Sequence, residues 1–128
     1  MSYYFSKTLN KSFDEAIEAV TQALQEEGFG ILTEIDVKAT LKKKLDVDFR
    51  PYKILGACNP PFAHKALLAE EKIGLMLPCN VIVQQKDDGV EVAAVDPIAS
   101  MAGVKNDELS SIAAQVRDKL QKVIESLN

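Results

Sequence analysis

The chain is expected to fold as a single α+β domain over residues 1–128, an antiparallel sheet with two long helices on one face. Three observations point to this class. Short aromatic and β-branched runs are separated by stretches of helical periodicity. Asp88-Gly89 joins two such runs with residues that tolerate positive φ, the signature of a hairpin and so of antiparallel pairing. Near the carboxyl end, Leu109, Ile112, Ala113, Val116, Leu120, Val123, Ile124 and Leu127 trace one apolar stripe, and a long one-sided helix needs a sheet to cover. A chain of 128 residues divided in two would leave halves of about 64, where a single core becomes marginal.

Each element follows from local signals. Tyr3, Phe5 and Leu9 share a parity, which suits a strand over 3–9. Ser12-Phe-Asp-Glu15 reads as a capping box, and Phe13, Ile17, Val20 and Leu24 continue at helical spacing until Gly28. Phe29, Ile31, Ile35 and Val37 share a parity broken only by Thr33, so 29–37 is read as a second strand. Asp36 caps a short helix with Val37, Leu41 and Leu45 on one side, and the run Lys42, Lys43, Lys44 is read as its solvated face. Residues 52–58 form a third strand, ended by Asn59-Pro60-Pro61.

Pro61 suits the first position of a helix whose stripe is Phe62, Ala63, Ala66 and Leu67, running to about Glu71. A fourth strand is placed at 79–85, after Pro78, and a fifth at 90–95, stopped by Pro97. Ser100, within Ala-Ser-Met-Ala-Gly, is read as loop. Asn106 caps the last helix, with Asp107 and Glu108 opposing its amino-terminal dipole. The core order is therefore β-α-β-β-β-β-α with extra short helices.

Composition removes several functional classes. Lys plus Arg number 15 and Asp plus Glu 19, a formal charge of −4, which argues against nucleic acid as a partner because such affinity rests on neutralising phosphates. The amino terminus lacks the basic flank and apolar run of a secretory signal, and no later run is long enough to span a membrane, so a cytoplasmic protein without membrane contact is expected. Neither phosphate-loop motif is present, and no nucleophile elbow accompanies the lone His64.

Several blocks, taken together, resemble a known family. Tyr52-Lys-Ile-Leu-Gly-Ala-Cys-Asn-Pro-Pro61, Ala63-His-Lys-Ala-Leu67, Gly74-Leu-Met-Leu-Pro-Cys-Asn-Val81 and Val95-Asp-Pro97 occur in order, with Ile35-Asp-Val-Lys-Ala-Thr40 and Asp48-Phe-Arg-Pro-Tyr52 before them. This pattern is similar to the bacterial and archaeal domain-of-unknown-function family DUF302 over nearly the whole chain. The resemblance implies a fold like one half of the TATA-box-binding protein and a homodimer, and it leaves the biochemical role open.

One cluster carries chemistry. Cys58, His64 and Cys79 fall within 22 residues, and two thiolates with one imidazole suit zinc or another transition metal. Alternatively, the helix start near Pro61 or His64 activates Cys58, with Cys79 as resolving thiol. Cys58, Asn59, Cys79, Asn80 and Asp96 are the ligand-binding or thiol candidates, while in the plainest reading both thiols are core and Asn59 and Asn80 bond strand ends or turns. Asp96, before Pro97, is placed at the same sheet end as ligand, base or turn former.

A different class of function is binding without chemistry. Phe49, Tyr52, Phe62 and Leu75-Met-Leu77 are candidates for the mouth of an apolar pocket for a small molecule, and Leu75-Met-Leu77 or the exposed face of a sheet-edge strand for a homodimer surface. Non-catalytic ligand or partner binding is the leading expectation, with the metal or thiol-redox protein as the alternative.

Overall fold

The computed structural model describes residues 2–128. Its elements are β1 (Tyr4–Leu9), α1 (Phe13–Glu26), β2 (Gly30–Asp36), α2 (Val37–Leu45), β3 (Tyr52–Cys58), α3 (Pro60–Ala69), a 3-10 turn (Ile73–Met76), β4 (Cys79–Lys86), β5 (Gly89–Val95), α4 (Pro97–Ser100) and α5 (Asp107–Ser126). The strands form one sheet in the order β1-β5-β4-β3-β2, and every neighbouring pair is antiparallel. The expected core order and the α+β class hold.

Local chemistry explains the long helices. Ser12 accepts from the Glu15 amide at 3.1 Å while Glu15 accepts from the Ser12 amide at 3.0 Å, so the capping box satisfies two donors at the start of α1. Asn106 Oδ1 accepts from the amides of Glu108 and Leu109 to open α5, and its Nδ2 donates to the Ala69 carbonyl, tying α5 to the end of α3.

The helices cover one sheet face. Cross-strand rows such as Leu55–Val81–Ala94–Phe5 point toward α1 and α5, where Val20 and Leu24 of α1 and Val116, Leu120 and Val123 of α5 close the main core. The amino-terminal half of α5 packs elsewhere. Leu109 and Ala113 join Ala66 of α3, Ile73 and Met101 in a second, smaller core beyond the sheet.

Two features depart from the expectation. Ser100, read as loop, instead ends the single-turn helix α4, which Asp96 opens by accepting from the Ile98 amide at 3.0 Å through Oδ1. The parity of β2 does not run through. Ile31 pairs with Ala57 on the helix-covered face, the register slips, and Ile35 pairs with Ile54 on the opposite face. Leu32 is the extra residue of this bulge. The slip places Thr33 opposite Gly56, where a Cβ on Gly56 would lie 2.7 Å from Pro78 Cγ and closer still to Thr33 Oγ1.

This crowding makes Gly56→Ala a test of the bulge. Its side chain must displace a proline ring, so the variant is expected to lose about 1–3 kcal/mol of stability in urea unfolding. Relieving only the Thr33 contact, in Gly56→Ala/Thr33→Gly, should recover part of that loss and no more.

Candidate functional site

At the end of the sheet where β3 stops and β4 starts, the main core and the smaller core do not meet completely. They leave a cavity of about 330 Å³. The sheet contributes Ala57, Cys58 and Cys79, α3 contributes Phe62 and Ala66, and α5 contributes Ile112, Ala113 and Val116. Leu32 lines it because the bulge removes this residue from the ladder. Apart from the two thiols, Asn59 is the one polar side chain in the lining among the described residues.

The thiols take on the character of these surroundings. Both cysteines are free. Burial pushes the Cys79 thiol up to about 11 from an ordinary 9.0, and the nearby Cys58 adds to the shift. Cys79 is therefore a neutral, apolar-seeming side chain at physiological pH, not a thiolate.

The helix that follows offers Cys58 little. Pro60 and Pro61 occupy the first two positions of α3, so the expectation of Pro61 at the first position moves by one residue. Neither proline has an N–H, so two of the amides that were to stabilise a Cys58 thiolate are absent from this helix start.

The remaining sequence candidates separate. Among the described residues, no group of three or more His, Cys, Asp or Glu side chains is placed to hold a metal ion. Cys58 and Cys79 share the cavity, but His64 is exposed on α3. It lies two residues before the buried Ala66, a rotation of about 200° around the helix, and so faces away. The expected zinc-like triad is not assembled, and the arrangement gives the metal and redox readings no support.

Asn80 is exposed and pairs with Gly56 on the face opposite the two long helices. Asp96 is buried, yet both its oxygens have structural work. Oδ1 caps α4, and Oδ2 accepts from Arg117 Nε at 3.2 Å, joining the end of β5 to α5. Of its three expected roles, the turn former is the one the geometry gives it.

The apolar candidates divide in the same way. Phe62 and Leu77 line the cavity, whereas Leu75 and Met76 stay exposed beside it. Phe49 and Tyr52 lie at the start of β3, with the Arg50 guanidinium 4.4 Å above the Phe49 ring and 5.6 Å from that of Tyr52. The α5 and α4-proximal contributors, Ile112 and Met101, carry no sequence signal beyond helical periodicity. Leu32 does: the interruption at Thr33 marks the bulge that releases it.

The domain description "Domain of unknown function DUF302" matches residues 5–127, and the chain belongs to this family. It is also similar to a crystal structure of the uncharacterized conserved protein DUF302 from Bacillus stearothermophilus, with a TM-score of 0.93 and 26% identity over 100% of each chain. No curated protein matches the sequence. Among the described residues, no helix is long and apolar enough to cross a membrane.

The acidity of Cys79 predicts a pH dependence. Its folded value lies above the unfolded one, so the stability this burial gives is complete below about pH 9 and is lost as pH rises toward 11. Urea unfolding across that range should show the wild type losing on the order of 2 kcal/mol relative to Cys79→Ala. Parallel curves for the two proteins would mean that the thiol is not held in apolar surroundings.

Proposed function

We propose that this chain is a non-catalytic binding domain that takes a small, neutral, apolar molecule in the cavity between α3, α5 and the end of β3. The observation that carries this reading is the lining: carbon and sulfur surround a space of about 330 Å³, with no charged side chain among the described lining residues. Apolar space of this kind gains free energy when an apolar molecule covers it, and a cavity of about half that volume already accepts benzene. The nearby polar groups that chemistry would need are committed elsewhere, as Asp96 is to α4 and Arg117.

We further infer that the chain works as a homodimer in the cytoplasm. Leu68, Leu75 and Met76 are exposed next to the cavity residues Leu67 and Leu77, with Leu75 at 82% exposure. Large apolar side chains grouped in this way favour coverage by a second surface. Two free thiols suit a reducing compartment.

Indole, a neutral two-ring probe, tests the cavity. It should shift the methyl resonances of Ala66 and Ala113 in the wild type, and Ala63→Phe, which fills the cavity from α3, should weaken its binding at least tenfold while leaving the thermal midpoint within a few degrees. Indole binding unaffected by Ala63→Phe would sink the assignment. Sedimentation tests the second surface: the wild type is expected to run as a dimer and Met76→Glu as a monomer. Equal masses for the two proteins would remove Met76 from the interface.

A further inference from the structure

At the end of the sheet opposite the cavity, Arg50 precedes β3 and meets the last residues of β4. Three contacts fix it there. The Pro51 carbonyl accepts from the Gln85 amide at 2.9 Å, which joins the backbone beside Arg50 to the sheet. The guanidinium lies 4.4 Å from the centre of the Phe49 ring and 5.6 Å from that of Tyr52. Its Nε donates to Gln84 Oε1 at 2.9 Å, and Gln84 Nε2 donates in turn to Glu91 Oε1 at 2.7 Å. Gln84 is paired with Tyr52 on one side and Glu91 on the other, so this chain of bonds crosses the face away from the long helices.

What Arg50 lacks is a carboxylate. The other arginine of the chain, Arg117, also lies over an aromatic ring, that of Phe5 at 5.1 Å, and it reaches Asp96 at 3.2 Å and Asp118 at 3.9 Å. Arg50 is stacked in the same way but makes no ion pair among the described residues. Gln84 stands between it and Glu91 and takes that carboxylate for itself. The Nη1 and Nη2 groups of Arg50 therefore keep their donors free among the described residues. A guanidinium is weakly hydrated and presents these donors as a planar fork that matches a carboxylate. Stacking and a second layer of hydrogen bonds are what hold a recognition group in one orientation.

The surroundings suit a single negative charge. Arg50, Gln84, Gln85, Lys86 and Asp87 line a hollow of about 550 Å³. Lys86 also has no ion pair among the described residues. Two cations against the one carboxylate of Asp87 leave one positive charge in excess, on a chain whose formal charge is −4.

We propose that this hollow is a second binding site, in which the Nη fork of Arg50 holds the carboxylate of a small monoanion and Lys86 adds a second cation. A phosphate dianion is the poorer match, because its second charge exceeds what the site offers and is opposed by Asp87. The site lies at the other end of the sheet from the apolar cavity and does not rest on that reading.

Acetate, too small and too polar to report on the cavity, is the probe. It replaces chloride at constant ionic strength while nitrogen–proton spectra of the full chain follow the two arginine Nε–H groups, which Arg50→Lys assigns. The Arg50 Nε–H and the Gln84 side-chain amide should shift along a saturating curve while the Arg117 signal stays still. Arg50→Lys keeps the charge and loses the fork, so acetate binding followed at Gln84 should weaken about tenfold. Gln84→Ala frees Glu91 to compete for the guanidinium and should also weaken binding at Arg50. Glu91→Gln in the same chain should restore part of it, a recovery that a loop-pinning role for Arg50 does not give.

Shifts that rise without saturating, or an equal acetate affinity in Arg50→Lys, would overturn the site. Saturation by inorganic phosphate and not by acetate would overturn the carboxylate assignment. A loss of stability in Arg50→Lys with no acetate response in the wild type would leave Arg50 as a loop anchor alone and overturn the proposal.

Discussion

The structure depends on α5 packing against two different partners. Its carboxyl-terminal half, from Val116 to Ile124, lies on the sheet with α1, whereas Leu109 and Ala113 rest on α3, the 3-10 turn and Met101. One continuous apolar stripe serves both surfaces, because a helix cannot change its periodicity where its partner changes. The two partners need not abut, and around Ile112, Ala113 and Val116 they do not. The cavity is the space left at that change of partner. Small residues on α3, Ala63 and Ala66, leave it unfilled.

A second constraint comes from the far side of the strand ends. The bulge at Leu32 moves Ile35 to the opposite face and brings Thr33 against Gly56. Pro78, just before β4, closes on the same glycine from another direction. Gly56 is thus a point of close approach among β2, β3 and the entry to β4, and the cavity is built immediately beyond it from Ala57, Cys58 and Cys79. Rigid strand ends held by such an approach give the lining a fixed shape, which a loop-built pocket would not have.

The sheet and long helices were legible because their signals are local and agree with one another. The capping box at Ser12 and the stripe of α5 each name an element without reference to the rest, and the hairpin falls one residue before the expected Asp88-Gly89, with Asp87 and Asp88 in the turn and only Gly89, paired with Lys86, at positive φ. The site was legible only in part. Cys58 and Cys79 were grouped only by their closeness in sequence, and they share the cavity because β3 and β4 are sequential antiparallel strands. His64 failed because proximity in sequence says nothing of the side of α3 on which a residue falls. Asp96 was read at the correct sheet end, but its Arg117 partner is contributed by α5, twenty-one residues on, a long-range pairing that no local pattern encodes. Asn59 was read both as a ligand-binding candidate and as a strand-end residue, and it does line the cavity.

Several properties of the site have one origin, the lack of any group able to stabilise charge. Burial among carbon atoms keeps Cys79 protonated far above neutral pH. Two prolines remove two of the helix-start amides that would otherwise have favoured an anion. The nearest buried carboxylate is held by Arg117 and the start of α4. Thiolate chemistry and cation binding both require a charge to persist in this space, and each is opposed by the same desolvation. A neutral ligand meets no such opposition.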